Sequence, residues 1–321
     1  AVKQQGVAAH QRHFLEREFG KNRADRLQPV MQEAYRLAYI RKPEFMGNTR
    51  TEEKDPKFKV ISDLPWCEQE INERLAAYRQ LSDKVEQEWH ALPAQKKETY
   101  FQLVKYPVQA AAQMNNKLLT AQLARHGKAD WADSDRAYDS IVSLTKTYNT
   151  TKWNRMMDFQ PRRLLVFNRV ERKALSSGLL EKPQAVYTWN GADCVEGASV
   201  ICEGLGYEGK AVAVEKKKEL TFEFAAWETD SVEVEVRLLP NHPVEGERLR
   251  FTISLDGSAT EAVSYETKGR REEWKENVLC NQAVRRMILP VARKASHRLI
   301  FTALDEGVVL DQICLYMPRI K

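Results

Sequence analysis

The chain has 321 residues, 43% apolar and 30% charged, enough to bury more than one core. Its net charge of +5 is small for this size, and Lys216, Lys217 and Lys218 are flanked by Glu215 and Glu219, which excludes the concentrated basic face of a nucleic-acid binder. No apolar run approaches the ~20 residues that cross a bilayer, so no membrane partner is expected.

The five cysteines, Cys67, Cys194, Cys202, Cys280 and Cys314, show neither metal-ligand pairing nor disulfide-scaffold density. Their odd number predicts free thiols buried as small hydrophobes. The chain opens AVKQQGVAAH, without an initiating Met or an apolar signal core, as a mature product or an excised fragment does.

In chain order, a first helix is expected over Val2 to Phe19, ended by Gly20. His10, His13 and Glu16 share a face of it, but no further ligand motif accompanies them, so surface histidines and no metal are expected. A second helix runs from Ala24 to Arg41 with Leu27, Val30, Met31, Ala34, Leu37 and Ala38 on its apolar side, and Pro43 stops it. Residues 44–64 read as a long polar connection without a catalytic signature, of a length that is uncommon inside a compact domain and is often functional or lies across another domain.

Asp63, with Pro65 in the first turn, is expected to open a third helix whose buried stripe is Ile71, Leu75, Tyr78, Val85 and Trp89. Pro93 restarts the chain into the most apolar helix, which continues to about His126. Phe101, Val104, Val108, Ala112, Leu118, Leu119 and Leu123 recur along it at helical spacing, and Pro107 predicts a bend. Asp130 and Asp133 begin a fifth helix, to Tyr148, with Tyr138, Ile141 and Leu144 inward. Trp153, Met156 and Met157 just beyond it are read as filling the bottom of the bundle.

After a basic connection the period changes from helical to alternating. Leu220, Phe222, Phe224; Val232, Val234, Val236, Leu238; and Leu249, Phe251, Ile253, Leu255 each place apolar residues on one face of a strand. Leu299, Phe301, Ala303 and Val308, Leu310, Ile313, Leu315 add two more. Asp256–Gly257 and Asp305–Glu306–Gly307 read as hairpin turns. The expected fold is therefore multidomain, α then β: an antiparallel five-helix bundle over 1–160, an interdomain connection over 161–183, and an antiparallel, jelly-roll-like β-sandwich over 184–321.

Several segments carry a family resemblance. FQLVKYPVQA (Phe101 to Ala110), KWNRMMD (Lys152 to Asp158) and RKPEFMG (Arg41 to Gly47) resemble the helical region of the xylan α-glucuronidases of glycoside hydrolase family 115. The stretches Gly204 to Val214, Leu238 to Gly257 and His297 to Tyr316 are similar, in order and spacing, to that family's carboxy-terminal sandwich. The resemblance implies removal of α-1,2-linked glucuronic acid, or its 4-O-methyl ether, from glucuronoxylan by inversion. The carboxylates responsible would lie on an upstream (β/α)8 catalytic barrel, and nothing before Pro65 resembles one.

An inverting pair stands roughly 6.5 to 9.5 Å apart, and no such pair can be nominated here. Turn or capping roles account for most of Glu44, Asp158, Asp256, Asp305 and Asp311, so no catalytic residue, cofactor or metal is expected. Lys152, Trp153 and Arg155 are the candidates for lining an interface with the barrel and its substrate, although Arg155 stands where the family motif favours His. On the sandwich, Trp189, Tyr207, Trp227 and Trp274 could stack on pyranose rings, with Tyr207, between Gly206 and Gly209, the candidate for exposure and Trp227 the candidate for the core, but a scaffolding and dimer-forming role is favoured over independent glycan binding. The resemblance further implies a homodimer in the periplasm of a bacterium or outside it. A free-standing carbohydrate-binding or adhesion protein is the rival reading.

Overall fold

The computed structural model describes residues 6–50, 53–197, 199–266 and 271–318. They divide into two units, Ala1–Lys182 and Pro183–Lys321. The first holds the helices α1 (Val7–Phe19), α2 (Lys21–Ile40), α3 (Glu68–His90), α4 (Ala94–Tyr100), α5 (Tyr106–Arg125) and α6 (Trp131–Asn149). A π-helical turn over Phe101–Lys105 joins α4 to α5, so the six helices stand as five rods.

Gly20, at φ +87°, breaks α1 from α2. One core gathers Leu15, Phe19, Leu27, Val30, Tyr78, Val85, Tyr100 and Val104; a second gathers Ile71, Met114, Leu118, Leu119 and Ile141 with Met46, Leu64, Val166 and Val170 from irregular segments. Pro107 does not sit mid-helix. The Tyr106 amide donates five residues back to Phe101, and the proline falls in the first turn of α5, where its missing donor is least needed.

Every residue of α5 from Lys117 to Arg125 is buried, four polar ones included. A buried polar group needs a partner, and these find theirs largely outside α5. Gln122 exchanges hydrogen bonds with both backbone groups of Leu64, at 3.0 and 2.9 Å. Arg125 donates to Asp63 at 2.6 Å, and Asp63 also meets His126 at 2.6 Å. This corrects the expected cap: Asp63 is spent on α5, while α3 begins after Cys67, whose amide donates to Glu70 at 2.8 Å.

Lys117 donates to the carbonyls of Val166 and Asn168, at 2.6 and 2.9 Å. Residues 164–182 are thereby laid along the helices as a strap, with Leu175 donating to the Arg125 carbonyl, Arg169 and Arg172 pairing with Asp135, and Lys182 pairing with Glu70. The 43–64 connection is similarly tied down, because the fully buried Arg41 donates to the Phe45 carbonyl and to Asn48.

The second unit is a two-sheet antiparallel sandwich. Its strands are β1 (Tyr187–Asn190), β2 (Val200–Ile201), β3 (Val212–Ala213), β4 (Glu219–Ala225), β5 (Ser231–Leu238), β6 (Arg250–Leu255), β7 (Ser258–Ala259), β8 (Val263–Ser264), β9 (Ala283–Pro290), β10 (Ser296–Ala303) and β11 (Val309–Tyr316), with one helix, α7 (Glu272–Cys280). One sheet runs β2-β3-β11-β5-β9 with β1 also on β11; the other runs β4-β10-β6-β7 with β8 on β6.

The inward alternation read from the sequence is the core: Phe222, Val234, Ile253, Phe301 and Ile313 are all buried. A register shift between Leu310 and Gln312 lets β11 keep both Leu310 and Ile313 inward. Asp256 and Gly257, at φ +52° and +92°, form the two-residue turn of the β6–β7 hairpin. Asp305 to Gly307, in contrast, is no hairpin, since it carries the chain from β10 in one sheet to β11 in the other; Asp305 is held there by both ends of the Arg250 guanidinium, at 2.8 and 2.9 Å. None of the five cysteines is in a disulfide, yet only Cys314 is fully buried; the other four are half-buried, so thiol burial holds for one of five.

Burial pulls the Lys117 ammonium down to about 7. The neutral amine still has donors enough for both carbonyls, with the Tyr138 ring 5.8 Å away. An unfolded lysine titrates near about 10.4, so between about 7 and about 10 the unfolded chain holds a proton that the folded chain has released, and Lys117 makes stability rise with pH. The stability of the wild type relative to Lys117→Met is expected to increase across that window. Urea midpoints of both proteins at stepped pH measure it, and a constant difference would exclude a depressed lysine.

Candidate functional site

The residues singled out in KWNRMMD lie on a surface loop between the end of α6 and the strap. Trp153, Met156 and Met157 are 38%, 62% and 36% exposed, so they do not fill the bundle as expected. The bundle floor is closed instead by Tyr148 packing on Phe101 and Tyr106, with ring centroids 6.0 and 4.8 Å apart.

The loop is shaped by polar contacts. Thr151 donates its hydroxyl to the Tyr148 carbonyl at 2.7 Å and accepts from the Trp153 amide at 3.2 Å. The Met156 amide then donates to the Trp153 carbonyl at 3.0 Å, which closes a tight turn with Arg155 in the left-handed region at φ +64°. Lys152 lies 5.4 Å from the Trp153 ring and 3.9 Å from Glu98. No carboxylate pairs with Arg155 among the described residues. The tip therefore offers an accessible indole beside two cations, chemistry suited to the face of a sugar ring and to an acid substituent.

Lys152, Trp153 and Arg155 belong to the first unit and Tyr207 to the second. Tyr207 is half-buried, and its amide donates to both oxygens of Asp311, at 2.9 and 3.1 Å. Gln282 donates to the same carboxylate at 2.8 Å, while burial raises the Asp311 pKa. The glycine-rich loop is thus anchored to the bulge of β11. The sandwich tryptophans are absorbed by structure: Trp227 is buried and donates to Thr229 and Ser231, Trp189 packs on Tyr187 and Phe222, and Trp274 faces His242.

Of the remaining acidic residues Glu44 is exposed, and two others are engaged locally. Asp158 accepts from the Gln160 amide and Asp256 accepts from His297. His10 and His13 are exposed, and the described residues contain no group of three side chains able to hold a metal. No helix among the described residues is long and apolar enough to cross a membrane. Asn149, at the base of the loop, carries no motif and was not a sequence candidate; only the structure shows its two bonds to Met157.

Residues 198–321 match the family model described as the glycosyl hydrolase family 115 C-terminal domain. A solved structure described as a novel family GH115 4-O-methyl-alpha-glucuronidase, BtGH115A, with specificity for decorated arabinogalactans, is 60% identical, with a TM-score of 0.96 over 99% of this chain and 42% of that one. The chain belongs to glycoside hydrolase family 115, and it spans less than half the length of that relative.

A family 35 carbohydrate-binding module from Clostridium thermocellum is 10% identical over 41% of this chain and 98% of the module, at a TM-score of 0.33. A similar module from Cellvibrio mixtus lichenase 5A, in complex with cellotriose, is 13% identical over 42% of this chain and 100% of the module, at 0.31. Both likenesses are too slight to bear on function. No match was found among curated proteins.

The anchored loop gives a direct test of packing. A Cβ on Gly206, at φ +92°, would stand 2.4 Å from Asp311 Oδ1, whereas one on Gly257, also at φ +92°, would meet open space. Gly206→Ala is expected to cost on the order of 2 to 3 kcal/mol and Gly257→Ala about 1. Denaturant midpoints of the two variants compare them, and equal losses would show that Asp311 sets no limit on the space at Gly206.

Proposed function

We propose that this chain is the non-catalytic, carboxy-terminal part of an α-glucuronidase that removes (4-O-methyl)glucuronic acid side chains from a plant polysaccharide. The observation that carries this reading is 60% identity over 99% of the chain to an enzyme of that activity. The helical unit and sandwich support an upstream catalytic barrel, and the Lys152–Met157 loop completes the substrate cleft. There Trp153 stacks on a sugar and Arg155, lacking a carboxylate of its own, meets the uronate.

Glucuronoxylan is the substrate suggested by the sequence resemblance. Decorated arabinogalactan is a second reading, favoured by the specificity described for the 60% identical relative. A polymer of either kind is met in the periplasm or outside the cell, where we place the enzyme, as a homodimer. The match to an enzyme along 99% of the chain weighs against a free-standing adhesion or carbohydrate-binding protein.

The chain alone is expected to release no glucuronic acid from glucuronoxylan or arabinogalactan, and measurable release would overturn the non-catalytic assignment. In the complete enzyme Trp153→Ala is expected to lower kcat/KM on the polymer by about tenfold, the loss of one stacking contact of ~1.4 kcal/mol. An unchanged kcat/KM would remove the loop from the cleft. Parallel assays on the two polysaccharides choose between the substrates.

A further inference from the structure

From Thr150 to Met157 the loop that follows α6 has no hydrophobic anchor. Trp153, Met156 and Met157, which would normally pin such a segment, are all exposed. Its base is instead closed by one side chain. Asn149, the last residue of α6, donates from Nδ2 to the Met157 carbonyl at 2.8 Å and accepts the Met157 amide on Oδ1 at 3.3 Å. A carboxamide on a single methylene thus pairs with both backbone groups of a residue eight positions on, as a neighbouring strand would. Aspartate has the same length but lacks the donor; alanine has neither group.

What this closure sets is the pose of the tip. With the ends of the loop held together, the Thr151 bonds and the Trp153–Met156 turn leave Arg155 at φ +64°, a backbone conformation that an arginine seldom adopts unaided. A loop held by few hydrogen bonds and no buried side chain samples many tips once those bonds are removed.

Resting on the reading that this loop faces the substrate, we propose that Asn149 is a positioning residue: its reciprocal pair with Met157 holds the loop in the one conformation that presents Trp153 and Arg155 to an acidic sugar. Asn149 touches no substrate, and its effect passes through the loop. Its removal raises KM and leaves kcat nearly unchanged, because the loop binds the polymer and takes no part in bond cleavage.

The test compares Asn149→Ala, Asn149→Asp and Trp153→Ala in the complete enzyme, on glucuronoxylan and on arabinogalactan. The expected KM increase is about tenfold for alanine and smaller for aspartate, with kcat within about twofold of the wild type. Trypsin, which cleaves after Lys152 and Arg155, is expected to nick the loop of the chain faster in the order Asn, Asp, Ala. Equal nicking of all three would show that Asn149 does not hold the loop. If Trp153→Ala raises KM while Asn149→Ala leaves it unchanged, the positioning role falls and the substrate-facing loop stands. If neither variant alters KM, the substrate-facing reading itself is overturned.

Discussion

Helix α5 is buried on every side from Lys117 to Arg125, and the helical unit is arranged around that constraint. An all-round apolar helix would need only neighbours that fill space. This one carries Lys117, Gln122 and Arg125 into the interior, where each unpaired polar group would be destabilising. Their partners come from the connections outside the long helices: the carbonyls of Val166 and Asn168, at a single 3-10 turn, both backbone groups of Leu64, and the Asp63 carboxylate. Two segments that would otherwise be free loops become walls of the core, contributing Met46, Leu64, Val166 and Val170. The same three side chains therefore satisfy the interior of the helix and place the connections around it.

The sandwich solves a related problem through one strand. β11 pairs with β1 and β3 on one side and β5 on the other, so it is the member around which its sheet is assembled. Its register shift after Leu310 keeps Ile313 and Leu315 facing inward and frees Asp311 from the alternation. Asp311 then anchors the Tyr207 loop and Gln282, which turns an irregularity of the ladder into the fixed point of a glycine-rich segment. Aromatic rings that composition alone offers for sugar stacking, Trp189 and Trp227 above all, pack against Phe222 and Phe224.

The parts of this architecture legible in the sequence are those with a period. Apolar spacing at 3.6 and at 2 located the five rods and strands β4, β5, β6, β10 and β11, because burial of one face imposes those periods directly; β9, equally long, was missed, since Arg285, Met287 and Leu289 on its inward side are only half-buried. Leu310 and Ile313 break the alternation by one residue, and the break is the bulge itself. Asp63 was misread because capping and ion pairing require the same residue type, and only the fold brings Arg125 and His126 to it. The Asp305 turn was misread for a similar reason: Asp-Glu-Gly marks a reversal but not which sheet the chain enters next. Local chemistry named Lys152, Trp153 and Arg155 as candidates, but it gave the wrong environment for Trp153 and its two methionines, since a large apolar residue beside a helix end is equally consistent with core.

That exposure bears on how a loop can be both accessible and ordered. A loop ordered by burying its own aromatic residues has none left to present, and one that presents them forfeits the burial that would order it. Polar closure separates the two demands. Backbone groups at the base are satisfied by a carboxamide and a hydroxyl, which leaves the indole, both thioethers and an arginine without a carboxylate partner at the tip. The helix that ends in Asn149 is itself packed against α5. The geometry of the tip is therefore referred, through one amide side chain and one helix, to the most deeply buried element of the unit.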